Sequence, residues 1–379
     1  MVQGKLKEMF GSAYVAALLL ALVIIPVGVV AAGAASGQPR TQQIQPARQE
    51  PTPQAGAGAA AATALLDKAT QETAAAVGPS VVKIESVGGL GSGVIVDPRG
   101  YIVTNYHVLF GERGATLPQA QYTVTLADGA SHRATVAGTD AADDLAVLKI
   151  DARNLRALPL ADSDRLRVGQ FVLAVGNPLG YAQSVTFGIV STLRRTIAEN
   201  GPAAFIPDMV QTSAPINPGN SGGALVDLQG RLVGIPTLQA SDPRLGTAAQ
   251  GIGFAVSSNR VSHVARQIIA DGKVTHSGRP YLGVSGLQEA TPSLAARYGL
   301  RAENGMLVGR VERDGPADRA GLRSGDISTR LDGRPTLSEA AFGDALARLK
   351  PGQRVPVVVA GERGEHTSAI TLGELPAPR

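Results

Sequence analysis

The 379-residue chain has no cysteine and no tryptophan, and only 4% of its residues are aromatic. Without cysteine it has no disulfide scaffold, zinc–thiolate site, iron–sulfur cluster or cysteine nucleophile. So few aromatic residues argue against a stacking platform for single-stranded nucleic acid. The net charge is only +4, and the basic residues are scattered among acidic ones. We therefore expect no nucleic-acid partner, and we expect neither a cofactor nor a metal.

Residues 9–35 carry no charge and are almost wholly apolar. A helix of this length, about 40 Å, exceeds the hydrocarbon core of a membrane, which is about 30 Å thick. Lys5 and Lys7 favour a cytoplasmic location for residues 1–8. We expect a single-pass anchor with the rest of the chain outside the cytoplasm. A signal peptide cleaved near residues 32–34 is the alternative, and a buried globular helix is a third interpretation.

Two folded domains are expected after this segment. Residues 36–62 are rich in Gln, Pro, Ala and Gly, which is typical of a flexible linker. Over residues 63–272, short β-branched runs alternate with turn residues, and this pattern predicts an antiparallel barrel or sandwich. A helix that Asn259 caps and Gly272 ends should close this domain. Residues 278–375 predict a smaller α+β domain with a capping box at residues 336–339.

A glycine-rich turn supplies a candidate nucleophile in the segment Asn217-Pro218-Gly219-Asn220-Ser221-Gly222-Gly223. Glycines permit a tight turn in which the N–H groups of Gly219 and Ser221 converge as the donors of an oxyanion hole. Asn220 lies between them and is included in the predicted oxyanion hole. An ordinary Gly/Ser loop is the alternative unless a base is available for the serine.

Five histidines are available as that base. His107 follows the run 101–106, so we expect it at the end of a half-buried strand, where its imidazole is held toward a cleft. A structural histidine is the alternative at this position. The other four lie in settings that suggest no catalytic role: His132, His263, His276 and His366.

A buried carboxylate would fix the tautomer of His107. Asp140, Asp143 and Asp144 compete for this role. We favour Asp144, because it immediately precedes the apolar run 145–150 and is therefore turned inward. Asp140 and Asp143 are interpreted as turn residues or caps. The resulting order of base, carboxylate and serine along the chain is the chymotrypsin type.

Five segments resemble the HtrA (DegP/DegS-like) serine proteases: GSGVIVDPRGYIVTNYHV, TDAADDLAVLKI, VGQFVLAVGNPLG, SVTFGIVS and INPGNSGGALVD. The resemblance covers about residues 72–375. It implies a mainly β fold, with a chymotrypsin-like double β-barrel protease domain followed by an α+β PDZ domain. It also implies His107 as general base, Asp144 as its orienting carboxylate and Ser221 as nucleophile. A homotrimer in the periplasm or cell envelope, acting on unfolded or signalling proteins, is implied as well.

Substrate specificity is expected to depend on Pro215 and Ile235. Chymotrypsin-like sites set the first pocket about six residues before the serine, which here is Pro215, and Ile235 is expected to line the same pocket. Since no carboxylate lies there, we expect a small or medium apolar residue before the cut rather than Arg or Lys. Pro236 stands where the family often has Asn, and its missing N–H weakens the expected pairing with substrate at that position.

The C-terminal domain contains a segment, residues 279–284, that resembles the carboxylate-binding loop of PDZ domains. Successive N–H groups there would bind the C-terminal carboxylate of a peptide that adds as a strand beside the helix 337–349. The predicted peptide-binding residues are Tyr281, Leu282, Gly283 and Val284. By resemblance, a bound C-terminus would order the oxyanion hole through the loops at residues 194–208 and 236–251.

The sequence therefore predicts a membrane-anchored, extracytoplasmic serine endopeptidase that C-terminal peptides regulate. The alternative belongs to another class. It is a binding or holding protein whose PDZ domain recruits unfolded or signalling partners, with proteolysis incidental.

Overall fold

The computed structural model describes residues 57–86, 89–111, 121–177, 184–198, 205–217, 219–242 and 247–376. The predicted anchor at 9–35 lies outside these residues. Within the described ranges, no helix has both the length and the hydropathy of a membrane span. The first described element is helix α1 (Ala57–Val77). The linker prediction is therefore wrong for residues 57–62, because their alanine-rich sequence favours a helix over a coil.

Twelve strands between Val81 and Ser257 form two closed six-stranded barrels. A short helix, α2 (Tyr106–Phe110), follows the third strand. The first barrel contains β1 (Val81–Ser86), β2 (Gly89–Asp97), β3 (Tyr101–Thr104), β4 (Tyr122–Thr125), β5 (Ser131–Asp140) and β6 (Leu145–Ile150). The second contains β7 (Phe171–Gly176), β8 (Ser184–Ala198), β9 (Phe205–Thr212), β10 (Ala224–Asp227), β11 (Leu232–Asp242) and β12 (Thr247–Ser257).

Strand β6 shows how the apolar pattern places the core. Ala146 and Leu148 face the interior of the first barrel, while Leu145 and Val147 join the core that the two barrels share. All four are fully buried, which is why this strand is apolar on both faces. The sequence pattern missed β5 and β9, because polar residues or a proline interrupt the apolar alternation in both.

Helix α3 (Ser258–Asp271) closes the shared core, as predicted, and ends at Gly272, whose φ is 72°. Its buried residues Val261, Val264 and Ile268 pack on that core. The predicted cap is wrong: Ser257 occupies the N-cap position, and the side chain of Asn259 instead accepts a hydrogen bond from the N–H of Ser163.

The C-terminal domain begins in the same compact unit, which spans Asp67–Arg379. Its helices are α4 (Pro292–Tyr298), α5 (Pro316–Arg319) and α6 (Glu339–Leu346). Its strands are β13 (Pro280–Tyr281), β14 (Val284–Ser285), β15 (Gln288–Ala290), β16 (Gly305–Leu307), β17 (Arg310–Val311), β18 (Ile327–Leu331), β19 (Arg334–Pro335), β20 (Arg354–Gly361), β21 (Gly364–Thr371) and β22 (Gly373–Glu374).

The start of α6 differs from the predicted capping box. Ser338 caps the helix, and its hydroxyl accepts from the N–H of Ala341 at 3.2 Å. Thr336 is instead buried and donates to the carbonyl oxygen of Ser328 at 2.9 Å. The sequence placed the helix start too early, because both residues are good N-cap residues and only packing distinguishes them.

Candidate active site

His107 and Asp144 are joined by two hydrogen bonds. The Nδ1 atom of His107 lies 2.7 Å from Oδ2 of Asp144, and the backbone N–H of His107 donates to Oδ1 at 2.9 Å. Since a carboxylate only accepts, this geometry places the imidazole proton on Nδ1 and leaves Nε2 as an acceptor. His107 lies in α2, one turn beyond the end of β3, and not at the strand end that the sequence suggested.

A tight turn directs the carboxylate of Asp144 toward His107. Residues Ala141–Asp143 form a 3₁₀ turn that the side chain of Asp140 caps, and Asp144 follows in the left-handed region with φ 50°. The carbonyl oxygen of Asp144 accepts from the N–H of Tyr106 at 3.1 Å. The side chain of Asp144 is buried, with 5% of its surface exposed, whereas that of His107 is 26% exposed. The imidazole is thus held by Asp144 on its buried side and is partly exposed.

The turn around Ser221 leaves two donors available. Among the described residues, no acceptor is bonded to the N–H groups of Gly219 and Ser221. The N–H of Asn220 donates to the carbonyl of Asn217 at 3.1 Å, so it is not available as an oxyanion donor, and the prediction that included Asn220 needs correction. Its side chain instead donates to Pro215 and accepts from Asn217. Asn220 therefore stabilises the turn, and the N–H groups of its two neighbours stay without a bonded acceptor among the described residues.

Asn105 and Thr237 connect the two barrels beside this site. The buried amide of Asn105 donates to the carbonyl of Asp144 at 3.0 Å and to the hydroxyl of Thr237 at 2.9 Å. The carbonyl of Thr237 in turn accepts from the hydroxyl of Ser221 at 3.4 Å. This chain of bonds links the His107–Asp144 pair of the first barrel to the serine of the second.

The two residues predicted to line the substrate pocket differ in exposure. Pro215 is exposed, and its carbonyl accepts from Thr186 and Asn220. Ile235 has no exposed surface and lies in the core between the barrels, so it is not available to a substrate. Pro236 is buried, and its carbonyl accepts from the N–H of Gly222 at 2.9 Å. Proline there holds the Ser221 turn through its carbonyl, for which no N–H is needed.

Asp143 lies in the 3₁₀ turn, as the sequence suggested, but its side chain also forms buried ion pairs. Its side chain is fully buried and contacts the guanidinium groups of Arg260, on α3, and Arg279, just before β13. Burial alone would raise the pKa of Asp143, but the charges of Arg279 and Arg260 outweigh it and hold the pKa below its ordinary value. Through these ion pairs, Asp143 links two parts of the structure. One is the turn that precedes Asp144, and the other is the start of the C-terminal domain at Arg279.

The predicted peptide-binding loop adjoins a groove of about 410 Å³. Tyr281, Leu282 and Val284 line it, together with Phe342 and Leu346 of α6. Gly283 has φ 75°, so the backbone leaves the extended conformation at this position. No described acceptor is bonded to the N–H groups of Leu282 and Gly283, so both remain available to a carboxylate.

The groove is also lined by Tyr281 and by residues of the protease domain. Burial and a 2.6 Å hydrogen bond to Glu312 raise the pKa of Tyr281 to about 12, so its hydroxyl remains a donor at neutral pH. Thr196 of β8 and Pro207 of β9 line the same groove. The N–H of Thr196 also donates to Asp344 of α6 at 2.7 Å. The groove is therefore in contact with the β8–β9 hairpin of the second barrel.

Sequence reasoning missed Asn105 and Thr237, the ion pairs of Asp143, and Ser92, whose N–H donates to the carbonyl of Ser221. Asn105 could have been noticed as a polar residue at the end of an apolar run, two positions before His107. The ion pairs of Asp143 could have been anticipated, because a turn does not need a further carboxylate beside Asp140 and Asp144. Nothing in the local sequence distinguishes Ser92 or Thr237 from other small polar residues of strands.

Family comparisons agree with the two domains. The trypsin-like peptidase domain family matches residues 91–235, and the PDZ domain family matches residues 280–372. Serine endoprotease DegS of Escherichia coli K12 is 38% identical over 290 residues, which cover 76% of this chain and 78% of DegS. A probable periplasmic serine endoprotease, DegP-like, of Pseudomonas fulva is 38% identical over 76% of this chain. The chain spans only 56% of that relative's length.

Solved structures give the same assignment. HtrA-type protease AlgW with a decapeptide is 35% identical, with a TM-score of 0.58 over 82% of this chain and 99% of AlgW. AlgW with a tripeptide is 38% identical, with a TM-score of 0.58 over 82% of this chain and 98% of AlgW. Two barrels, a bonded His–Asp pair, a glycine-rich serine turn and one PDZ domain occur together in a single chain. The chain therefore belongs to the HtrA-type family of serine endoproteases.

Proposed function

We propose that this protein is a serine endopeptidase in which Ser221 attacks the peptide carbonyl. His107 takes the serine proton on Nε2 and returns it to the leaving amine, while Asp144 stabilises the imidazolium. The N–H groups of Gly219 and Ser221 stabilise the oxyanion. The observation that carries the proposal is the pair of hydrogen bonds from His107 to Asp144, one through Nδ1 and one through the backbone N–H. A merely structural histidine needs no such orientation.

The proposed substrates are unfolded or regulatory proteins of the cell envelope. The relatives are named periplasmic or DegS-type serine endoproteases, and the apolar segment at residues 9–35 would tether the chain to the membrane. A homotrimer is proposed from the family resemblance. At the position expected to set the first specificity pocket, Pro215 is exposed and carries no charge, which supports a small or medium apolar residue before the cut.

We further propose that a C-terminal peptide bound in the groove regulates the protease. The AlgW structures were solved with peptides, and the two available N–H groups of the Leu282–Gly283 loop suit a carboxylate. Since Thr196 and Pro207 line the groove, an occupant would contact the β8–β9 hairpin directly. β9 pairs with β12, and β12 pairs with β11. β11 contains Pro236 and Thr237, whose carbonyls accept hydrogen bonds from the Ser221 turn.

Covalent labelling tests the protease assignment. Diisopropyl fluorophosphate reacts with an activated serine and not with ordinary hydroxyl groups. We expect casein hydrolysis by the full chain to stop as one phosphoryl group is incorporated, and peptide mapping to locate that group on Ser221. Heat-denatured protein serves as the control. If casein were not cleaved and Ser221 were not labelled, even with C-terminal peptides added, the binding-protein alternative would replace the protease.

A charge in the groove tests the peptide site. Leu346→Glu places a carboxylate among the apolar groove residues, where its burial and its repulsion of the peptide's own carboxylate both oppose binding. We expect the affinity for a labelled decapeptide with a free, apolar C-terminal residue to fall at least about tenfold, a change of about 1.4 kcal/mol. Fluorescence anisotropy measures the binding.

The matched control for this variant is Leu337→Glu. Leu337 is 54% exposed and does not line the groove, so this substitution should leave peptide affinity unchanged. The same decapeptide with an amidated C-terminus should bind weakly to the unaltered protein. Equal binding of the free and amidated peptides would contradict the proposed carboxylate contact.

A further inference from the structure

Ser92, a fully buried residue of β2, makes three hydrogen bonds to the second barrel. Its backbone N–H donates to the carbonyl of Ser221 at 3.1 Å. Its hydroxyl oxygen lies 2.5 Å from the carbonyl of Gly219 and 2.8 Å from the backbone N–H of Asn177. Because Asn177 can only donate in this contact, the Ser92 hydrogen is left for Gly219, and its direction is determined.

These bonds hold alternate peptide groups of the Ser221 turn. The 219–220 peptide is fixed by Ser92 at its carbonyl and by Asn217 at its N–H. The 221–222 peptide is fixed by the N–H of Ser92 at its carbonyl and by Pro236 at its N–H. The N–H of Ser221 belongs to the 220–221 peptide between them. The carbonyl of that peptide accepts from the N–H of Gly223 at 3.0 Å. The direction of the Ser221 N–H therefore depends on this bond and on the two neighbouring peptides that Ser92 holds, and the N–H of Gly219 adjoins the first of these peptides.

The turn also lies directly against β2. A Cβ on Gly222, whose φ is 80°, would lie 2.3 Å from the carbonyl oxygen of Ser92 and 2.4 Å from the hydroxyl of Thr104. Thr104 donates to that same Ser92 carbonyl at 2.7 Å. Every polar group of Ser92 is thus engaged.

We propose that Ser92 is a positioning residue of the oxyanion hole, whose hydroxyl fixes the Gly219 carbonyl and so aims the N–H groups of Gly219 and Ser221. The proposal rests on the proposed role of these two groups in peptide hydrolysis. Ser92 touches neither the substrate nor the hydroxyl of Ser221. Its loss should therefore weaken stabilisation of the transition state while leaving substrate binding and the His107–Asp144 pair intact.

Steady-state kinetics of Ser92→Ala with succinylated casein test this assignment. Removal of one oxyanion donor costs about 10²–10³ in kcat, and misalignment should cost somewhat less. We expect kcat to fall about 10- to 100-fold, with KM within about threefold of the unaltered protein. The rate of phosphorylation by diisopropyl fluorophosphate should fall in proportion, since its phosphoryl oxygen occupies the same hole. The midpoint of the pH–rate profile should not move.

Ser258→Ala is the matched control. Ser258 is equally buried, and its hydroxyl donates to the carbonyl of Ala161 at 2.8 Å, away from the Ser221 turn. Ser92→Ala loses two buried hydroxyl bonds and Ser258→Ala loses one, so Ser92→Ala should lose more stability. Ser258→Ala should keep the unaltered kcat. If Ser92→Ala does not fold, Ser92→Cys replaces it, because a thiol is a weaker donor of similar shape.

Two results would overturn the inference: a kcat for the folded Ser92 variant equal to that of Ser258→Ala, or a loss confined to KM. Ser221→Ala separates this failure from failure of the proposed function. If Ser221→Ala lacks activity while Ser92→Ala keeps it, only the role of Ser92 is wrong. If Ser221→Ala still cleaves casein, the protease mechanism itself is wrong, and the inference falls with it.

Discussion

Replacing Asp144 with asparagine should lower kcat for casein hydrolysis about 10⁴-fold. In this structure both oxygens of Asp144 accept from His107, one from Nδ1 and the other from the backbone N–H. An asparagine amide has only one acceptor oxygen. If that oxygen keeps the backbone bond, its NH₂ group faces Nδ1 and selects the tautomer protonated on Nε2, which cannot take the proton of Ser221.

Asp151→Asn is the control for this substitution. Asp151 follows the far end of the same strand, β6, and is exposed, so its loss should leave kcat unchanged. Circular dichroism and thermal unfolding should show both variants folded. If Asp144→Asn retained more than about a tenth of the kcat, another group would have to orient His107, and Asp140 would be the next candidate to examine.

Replacing Asp143 with asparagine should destabilise the protein by about 3–5 kcal/mol. The buried guanidinium of Arg279 loses its counter-charge, and that of Arg260 keeps only Asp140, at 3.7 Å. The side chains of Asp143, Arg260 and Arg279 are 0%, 11% and 9% exposed. Urea unfolding measures the free energy. Asp164→Asn removes one partner of an exposed pair, in which Arg194 and Asp164 are 39% and 60% exposed. That control should cost less than about 1 kcal/mol.

The same variant should alter how stability depends on pH. Burial first, and then the charge of Asp143, raise the pKa of Asp140 from 3.8 to about 7. A carboxyl group with a raised pKa holds its proton longer in the folded state, so its contribution to stability falls as pH rises from 3.8 to about 7. Asp143→Asn removes one cause of that raised pKa.

We therefore expect a smaller loss of stability over this interval in Asp143→Asn than in the unaltered protein. Urea unfolding at several pH values between about 4 and 8 measures the slope. An unchanged slope, or a cost near that of Asp164→Asn, would show that Arg260 and Arg279 do not depend on Asp143.

The local sequence predicted those parts of the fold that a short segment specifies. Strand β6 was recognised because Leu145–Ile150 is apolar on both faces, and helix α3 because Val261, Val264 and Ile268 share one face and Gly272 ends it. Local signals failed where neighbouring residues were equally suitable. Ser338 rather than Thr336 caps α6, because Thr336 is needed at a buried bond to Ser328.

Function-bearing residues divide in the same way. His107, Asp144 and Ser221 were proposed from the sequence because each lies beside a distinctive local pattern: an apolar run, a buried strand or a glycine-rich turn. The residues that hold these three side chains in place have no distinctive local sequence pattern beside them. Ile235 was proposed for the substrate pocket from its position along the chain, and only packing shows that it has no exposed surface.

By itself, the sequence determined which chemical groups this protein has: five histidines, no thiol, a glycine-rich serine turn and an apolar N-terminal segment. Tertiary structure alone decided which groups hold them in place. Ser92 bonds Gly219 across 127 positions, Asn105 bonds Thr237 across 132, and Arg279 reaches Asp143 across 136. A polar side chain meets partners so distant only after the barrels and the C-terminal domain have packed, because no local backbone preference encodes such a contact.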